Sequence, residues 1–182
     1  MAPFSYGGLL LLHLGLFIIT VAVGSEDPTV CPIGCFCDSK ASEGLPGGQG
    51  LKINCHPTLS ATGTFDIRLP ANTVQLDLAK YGLKEITPET FVGLLHLQKL
   101  DLQGNKIHKI GDGSFRTLPK LEVLDLSRNS LKSIHKETFA GLASLQRLKL
   151  TDNNIQTLDS DSFIGLQSLA KVTILSVHSG LV

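Results

Sequence analysis

The chain repeats itself every 24 residues over most of its length. Apolar residues stand at that interval, and each begins an apolar-x-apolar step: Leu76, Leu100, Leu124, Leu148 and Val172. Other columns of the frame hold leucine (Leu97, Leu121, Leu145, Leu169), asparagine (Asn105, Asn129, Asn153), isoleucine or leucine (Ile86, Ile110, Ile134, Leu158) and phenylalanine (Phe91, Phe115, Phe139, Phe163). Parallel columns of this kind do not arise by chance, so each repeat is one structural unit that buries its apolar face against its neighbours.

The pattern LxxLxLxxNxLxxL, followed by a phenylalanine and a leucine, resembles the leucine-rich repeat in the 24-residue form common in extracellular proteins. The resemblance implies an α/β-class, curved, right-handed solenoid with short parallel β-strands on its concave face and a mostly irregular convex side. In a step such as Leu100-Asp101-Leu102, the leucines point one way and the residue between them points the other, because side chains alternate across a strand. The asparagines are predicted to pair backbone groups at the turn after each strand. The phenylalanines are predicted to stack beneath the convex side.

The amino-terminal segment has the composition of an export signal. Residues 1–25 carry no charged side chain, and residues 9–23 are apolar except at His13, Gly15 and Thr20. Small residues follow, which predicts a secretory signal peptide over residues 1–25 and a secreted, extracellular protein. The run is short for a bilayer span of about 20 residues, so no membrane span is expected after cleavage. The 16 basic and 16 acidic side chains balance, which gives no reason to expect a nucleic-acid partner.

Four cysteines precede the repeats: Cys31, Cys35, Cys37 and Cys55. An even number of cysteines in an exported chain indicates disulfides, and the spacing alone leaves three pairings open. A zinc site is disfavoured, because export takes the thiols into an oxidising compartment and C-x3-C-x-C is not a usual finger spacing. The cluster resembles the amino-terminal cap of extracellular leucine-rich repeat proteins, and that resemblance implies Cys31–Cys37 and Cys35–Cys55 bonds. The glycines of residues 44–50 predict a mobile loop at the tip of a cap hairpin.

The predicted organisation is a signal peptide at 1–25, a cysteine-rich cap at 26–73, about four repeats and a partial fifth at 74–175, and a non-repeat tail at 176–182. The fifth repeat keeps Val172 and Ile174 and then loses the pattern. No cysteine follows Cys55, so no second cap resembling that of the family is present in these residues. We therefore expect either a truncated or alternatively ended product of a longer gene, or a chain that self-associates through this uncapped end.

Binding residues are expected on the concave strand face, where side chains between and beside the core leucines project to solvent. The first column is Gln75, Lys99, Val123, Arg147 and Lys171; the second is Asp77, Asp101, Asp125, Lys149 and Thr173; the third is Ala79, Gln103, Ser127, Thr151 and Leu175. The predicted binding set is Lys99, Asp101, Gln103, Val123, Asp125, Ser127, Arg147, Lys149, Thr151 and Lys171, all outside the core. The three aspartates form an acidic ladder that passes to a basic end, a polarity that would select a ligand with the opposite arrangement. The alternative is structural: Leu-Asp-Leu is a frequent step in this family, with Lys99 neutralising Asp77 or Asp101.

Motifs of catalysis are missing from the sequence. It contains no G-x-S-x-G, H-E-x-x-H or P-loop pattern, and no two histidines after the signal share a column of the repeat. Neither a catalytic site nor a metal or cofactor site is therefore predicted. The sequence favours a non-catalytic binding module, secreted or receptor-derived, that recognises a protein or a glycan through its concave face. The alternatives are the amino-terminal part of a larger extracellular enzyme or receptor, and a matrix-associated structural protein.

Overall fold

The computed structural model describes residues 31–41, 45, 48–56 and 68–174. Its strands are β1 (Cys35–Ala41), β2 (Gln49–Cys55), β3 (Thr73–Asp77), β4 (Glu85–Ile86), β5 (Lys99–Asp101), β6 (Lys109–Ile110), β7 (Val123–Asp125), β8 (Ser133–Ile134), β9 (Arg147–Lys149), β10 (Thr157–Leu158) and β11 (Lys171–Thr173). The predicted signal peptide, the predicted tail and much of the glycine-rich loop lie outside the described residues. Within the described part of the chain, no helix is long and apolar enough to cross a membrane.

One seven-stranded sheet runs through the molecule in the order β1-β2-β3-β5-β7-β9-β11. β1 and β2 form an antiparallel hairpin, and every later neighbour in this sheet is parallel. The register sets each leucine of the first repeat column beside its equivalent in the next strand, as in Leu76 beside Leu100 and Leu100 beside Leu124. The predicted parallel solenoid is therefore confirmed.

Two short parallel ribbons lie outside this sheet, β4 with β6 and β8 with β10. They pair Ile86 with Ile110 and Ile134 with Leu158, which are members of one column of the repeat. The sequence predicts the column but no strand at these positions, because two residues are too few to show an alternating pattern.

The core between the sheet and the convex side is a set of stacked layers. Leu76, Leu100, Leu124 and Leu148 are at most 2% exposed, and Phe91, Phe115 and Phe139 are at most 1% exposed. The ring centroids of Phe91, Phe115, Phe139 and Phe163 follow one another at 6.1, 6.5 and 6.0 Å, with the planes 13–15° apart. The predicted phenylalanine stack is confirmed, and each ring gains its burial from the repeats on either side.

The asparagine column closes the turns between repeats. Asn105 Oδ1 accepts hydrogen bonds from the Gly82 and Leu83 N–H groups at 2.7 and 3.0 Å. Its Nδ2 donates to the Leu78 and Leu102 carbonyls at 2.9 and 2.8 Å. Asn129 and Asn153 donate to the equivalent carbonyls one and two turns further along the solenoid. Each accepts one backbone N–H at Oδ1, from Ile107 and Leu131 respectively. The predicted role of these amides in pairing buried backbone groups is confirmed.

The cap is continuous with the repeat sheet. Its disulfides are Cys31–Cys37 and Cys35–Cys55, as the resemblance implied. Ile53 of β2 lies beside Leu76 of β3 and is completely buried, so the cap extends the leucine column by one strand. Gly50 allows this close approach, since a Cβ atom there would lie 2.5 Å from Cγ1 of Val74. The hairpin thus covers the apolar end of the first repeat.

Candidate functional site

The sheet register gathers the predicted binding residues into one concave surface and extends that surface over the cap. The central row is Phe36, Asn54, Asp77, Asp101, Asp125, Lys149 and Thr173. The flanking row is Asp38, Lys52, Gln75, Lys99, Val123, Arg147 and Lys171. Adjacent strands are about 4.8 Å apart, so neighbours in a row are within reach of one another.

The four cap residues of these rows were missed by the sequence analysis: Phe36, Asp38, Lys52 and Asn54. The signal was present in the alternation of the cysteines. Cys35 and Cys37 turn inward to their disulfides, so the residues that alternate with them in β1 face the other side of the sheet.

Each aspartate of the central row has a structural bond that the sequence analysis did not foresee. The Oδ1 atoms of Asp77, Asp101 and Asp125 accept hydrogen bonds from the N–H group two residues later, at 2.9, 2.9 and 3.0 Å. This is the Asx-turn arrangement, in which the side chain stabilises the turn that ends the strand. One carboxylate oxygen of each aspartate is therefore committed to the fold.

The prediction that the whole set lies outside the core is wrong for two residues. Asp125 is 7% exposed and Ser127 is 3% exposed. Lys149 of the next strand covers Asp125 and donates from Nζ to Asp125 Oδ2 at 2.8 Å, and Thr151 donates to the Ser127 hydroxyl at 2.9 Å. Side chains on the adjacent strand therefore shield these two positions from solvent.

Electrostatics divides the aspartate ladder into two parts. Burial raises the pKa of Asp125, but the hydrogen bonds from Lys149 and Ser127 outweigh it, so the pKa lies below its usual value. The hydrogen bond and charge of Asp125 raise the pKa of Lys149. Asp101 behaves in the opposite way: burial, followed by repulsion from Asp125 and Asp77, raises its pKa against the bond from Gln103.

The pairing of this ladder differs from the expectation. The structural alternative had Lys99 neutralising Asp77 or Asp101, whereas in the described residues the ion pair of the ladder joins Lys149 to Asp125. Lys99 is exposed, and so are Arg147 and Lys171 of the same row. The acidic and basic groups consequently run side by side along the face, with half-buried Val123 between the basic residues.

One exposed aromatic side chain lies on this surface at the cap. Phe36 is 67% exposed and contacts His56 edge to face, with ring centroids 6.0 Å apart. Tyr81, which stands in the asparagine position of the first repeat, is 6% exposed and belongs to the core, where burial raises the pKa of its hydroxyl. In the described part of the chain, the aromatic side chain most exposed to a partner is therefore Phe36 on the cap. Among the residues described, no group of three or more His, Cys, Asp or Glu side chains is arranged to hold a metal ion.

Comparison with known proteins agrees with this architecture. A family model described as "Leucine rich repeat" matches residues 71–131 and 119–174. Leucine-rich repeat-containing protein 3B of Danio rerio is 35% identical over 107 residues, which are 59% of this chain and 38% of that protein. The solved structure of a TLR13–ssRNA13 complex is similar with a TM-score of 0.61 and 28% identity, over 69% of this chain and 18% of that one. This chain thus spans less than half the length of each of these two similar proteins.

Proposed function

The chain belongs to the leucine-rich repeat family, and on that premise we propose that it is a non-catalytic, extracellular recognition module that binds a protein through its concave face. The observation that carries this proposal is the continuous surface across seven strands. That surface has exposed Lys99, Arg147 and Lys171 and adjacent carboxylates at Asp77 and Asp101. Rigid strands hold these side chains at fixed spacing, which favours recognition of one complementary partner.

A protein partner fits the mixed chemistry of the face better than a polyanion does. The basic residues Lys99 and Arg147 would attract an anionic ligand, whereas Asp77 and Asp101 would repel it at a distance of one or two strands. A polypeptide presents both charges together with apolar groups, and Phe36 supplies an exposed aromatic side chain of the kind enriched in interface hot spots. The ssRNA named in the TLR13 complex would meet the two unneutralised carboxylates here.

Extracellular location is part of the proposal. The two disulfides of the cap support this location, because such bonds persist in an oxidising compartment. The predicted signal peptide at residues 1–25 supports the same location. Recovery of the protein with all four cysteines oxidised from the medium of expressing cells would test this part, and retention inside the cell would contradict it.

A matched pair of charge reversals tests the binding face. The concave variant carries Lys99→Glu and Lys171→Glu; the control carries Lys109→Glu and Lys132→Glu, on and beside the outer ribbons. All four lysines are exposed, so both variants should retain the native circular dichroism spectrum and melting temperature. Each variant makes the same change in net charge, so non-specific electrostatic effects cancel in the comparison.

The assay is binding of the purified protein to arrayed extracellular proteins and, in parallel, to arrayed glycans. We expect a protein partner whose affinity falls at least about tenfold in the concave variant, a loss of about 1.4 kcal/mol, and is unchanged in the control. Equal binding by the concave variant, or loss only in the control, would overturn the concave-face assignment. Binding to glycans alone would overturn the choice of a protein partner.

A further inference from the structure

The cap ends the sheet with an open strand. β1 pairs with β2 and, in the residues the structure describes, with no other strand. Five of its seven residues are exposed, and the two others are the disulfide cysteines Cys35 and Cys37. The outer edge of such a strand presents N–H and C=O groups that another chain can pair with.

The ladder geometry identifies which backbone groups point outward. His56, just after β2, donates its N–H to the carbonyl of Gly34, just before β1, at 3.1 Å. Gly34 and His56 are therefore a hydrogen-bonded pair of the antiparallel ladder. Hydrogen-bonded and non-hydrogen-bonded pairs alternate, which makes Cys35–Cys55 a non-hydrogen-bonded pair, as its 4.0 Å Cα separation requires. Every second residue of β1 therefore directs its backbone groups away from β2. The Cys35 N–H is used by the Pro32 carbonyl, which leaves Cys37, Ser39 and Ala41 with outward donors.

The side chains of β1 are self-complementary in one antiparallel register. Asp38 and Lys40 lie on the same face of the strand, on either side of Ser39. If a second β1 runs antiparallel with Ser39 opposite Ser39, each Asp38 lies opposite a Lys40. These are the non-hydrogen-bonded pairs, in which side chains approach most closely. A shift of two residues in either direction places Asp38 opposite Asp38 or Lys40 opposite Lys40, and repulsion disfavours both alternatives.

We propose that β1 is a self-docking strand, to which a second copy of this chain adds its own β1 antiparallel and centred on Ser39. The outward groups of Cys37, Ser39 and Ala41 in the two copies would form about six backbone hydrogen bonds, two for each hydrogen-bonded pair. The Lys40 of each copy would also lie diagonal to Phe36 of the other, where the ammonium group can contact the exposed ring. The two-fold axis is perpendicular to the sheet, so both concave faces would point the same way.

The dimer is expected to be weak and concentration-dependent. Stable interfaces bury about 1,200 Å² of surface or more, and one added strand buries less than that. Each of the two exposed ion pairs adds little to the free energy of association. Sedimentation velocity of the full secreted chain, with the disulfides verified as native, measures it directly. The prediction is a monomer at low concentration that shifts to a dimer as concentration rises.

Charge exchange provides the decisive test. Asp38→Lys and Lys40→Asp should each abolish the dimer, because each sets like charges in the close pairs. A mixture of the two single variants should form a heterodimer, and the double variant Asp38→Lys with Lys40→Asp should regain the homodimer. Ser39→Pro should also give a monomer with an intact cap, since it removes an outward N–H at an edge position that tolerates proline.

Two results would overturn this proposal. The wild-type chain could remain monomeric at every concentration, or a dimer could form that is insensitive to Asp38→Lys and to Ser39→Pro. The second result would place self-association elsewhere on the chain. The concave lysine variants serve as the control, because the proposed dimer does not use Lys99 or Lys171.

Discussion

Replacement of Asn105 by alanine tests whether the asparagine column holds the solenoid together. Asn105 is 6% exposed and bonds to four backbone groups of two successive repeats. Asn105→Ala leaves the side-chain amide's partners in place but removes the amide. Because this site has little access to water, those partners would have to remain unpaired or draw water into the turn.

The size of the effect follows from the partners. The Gly82 and Leu83 N–H groups lose the acceptor they share, and an unpaired buried donor costs about 1–3 kcal/mol. The carbonyls lose less, because Leu78 also accepts from the Tyr81 N–H and Leu102 also accepts from Asn129 Nδ2. We therefore predict that Asn105→Ala lowers the free energy of unfolding by about 3–5 kcal/mol.

Asn154→Ala is the matched control, because Asn154 is exposed in the equivalent turn region of a later repeat. Its substitution should change the free energy of unfolding by no more than about 0.5 kcal/mol. Urea unfolding with intact disulfides, followed by circular dichroism, gives both values from the midpoint at constant slope. A loss below about 1 kcal/mol for Asn105→Ala, or a loss equal to that of the control, would refute the reasoning.

Three further substitutions test the backbone and the charge ladder. Gly141 and Gly165 both have φ near +90°, but a Cβ at Gly141 would lie 2.7 Å from Cα of Arg116, whereas nothing lies within 4 Å at Gly165. Gly141→Ala should therefore lower the free energy of unfolding by about 1–3 kcal/mol more than Gly165→Ala does. Equal losses in urea unfolding would contradict this. Asp101→Asn keeps an oxygen for the Gln103 N–H and should stabilise the protein at neutral pH by less than about 1 kcal/mol. Because the pKa of Asp101 is raised above 3.8 in the folded protein, its ionisation lowers stability as pH rises from 3.8 through the folded value. Urea unfolding at a series of pH values across that range should show this decrease in the wild-type protein and not in the variant. A variant less stable than the wild type at neutral pH would refute the prediction.

The periodic part of the structure could be predicted because every repeat solves the same packing problem. Leu100, Asn105 and Phe115 occupy positions whose equivalents recur at a fixed interval, and a residue type kept in register must meet its own copies in the neighbouring turns. The sheet register and the ring stack are direct consequences of that interval.

Two features could not be read from the repeat period. Alternation along a strand predicts which way a side chain points. It does not predict whether a long side chain on the next strand will cover it, as Lys149 covers Asp125. The cap has no place in the repeat frame, and the outward position of Phe36 depends on the antiparallel pairing of β1 with β2. Both features depend on pairs of strands rather than on one segment of sequence.

The aspartate ladder illustrates how a single residue per strand determines both stability and surface charge. Asp101 has Asp77 and Asp125 as its two cross-strand neighbours, so its charge is repelled from both sides. Asp125 has Lys149 on its outer side, and this one cation converts a buried carboxylate from a destabilising group into a bonded one. Opposite charges on adjacent strands stabilise a sheet, and like charges destabilise it. Because residue 149 is lysine rather than aspartate, the charge of Asp125 is paired, whereas Asp77 and Asp101 have no cation beside them in the column. The uncompensated pair Asp77 and Asp101 is consequently where a cationic group of a partner would gain most from this face.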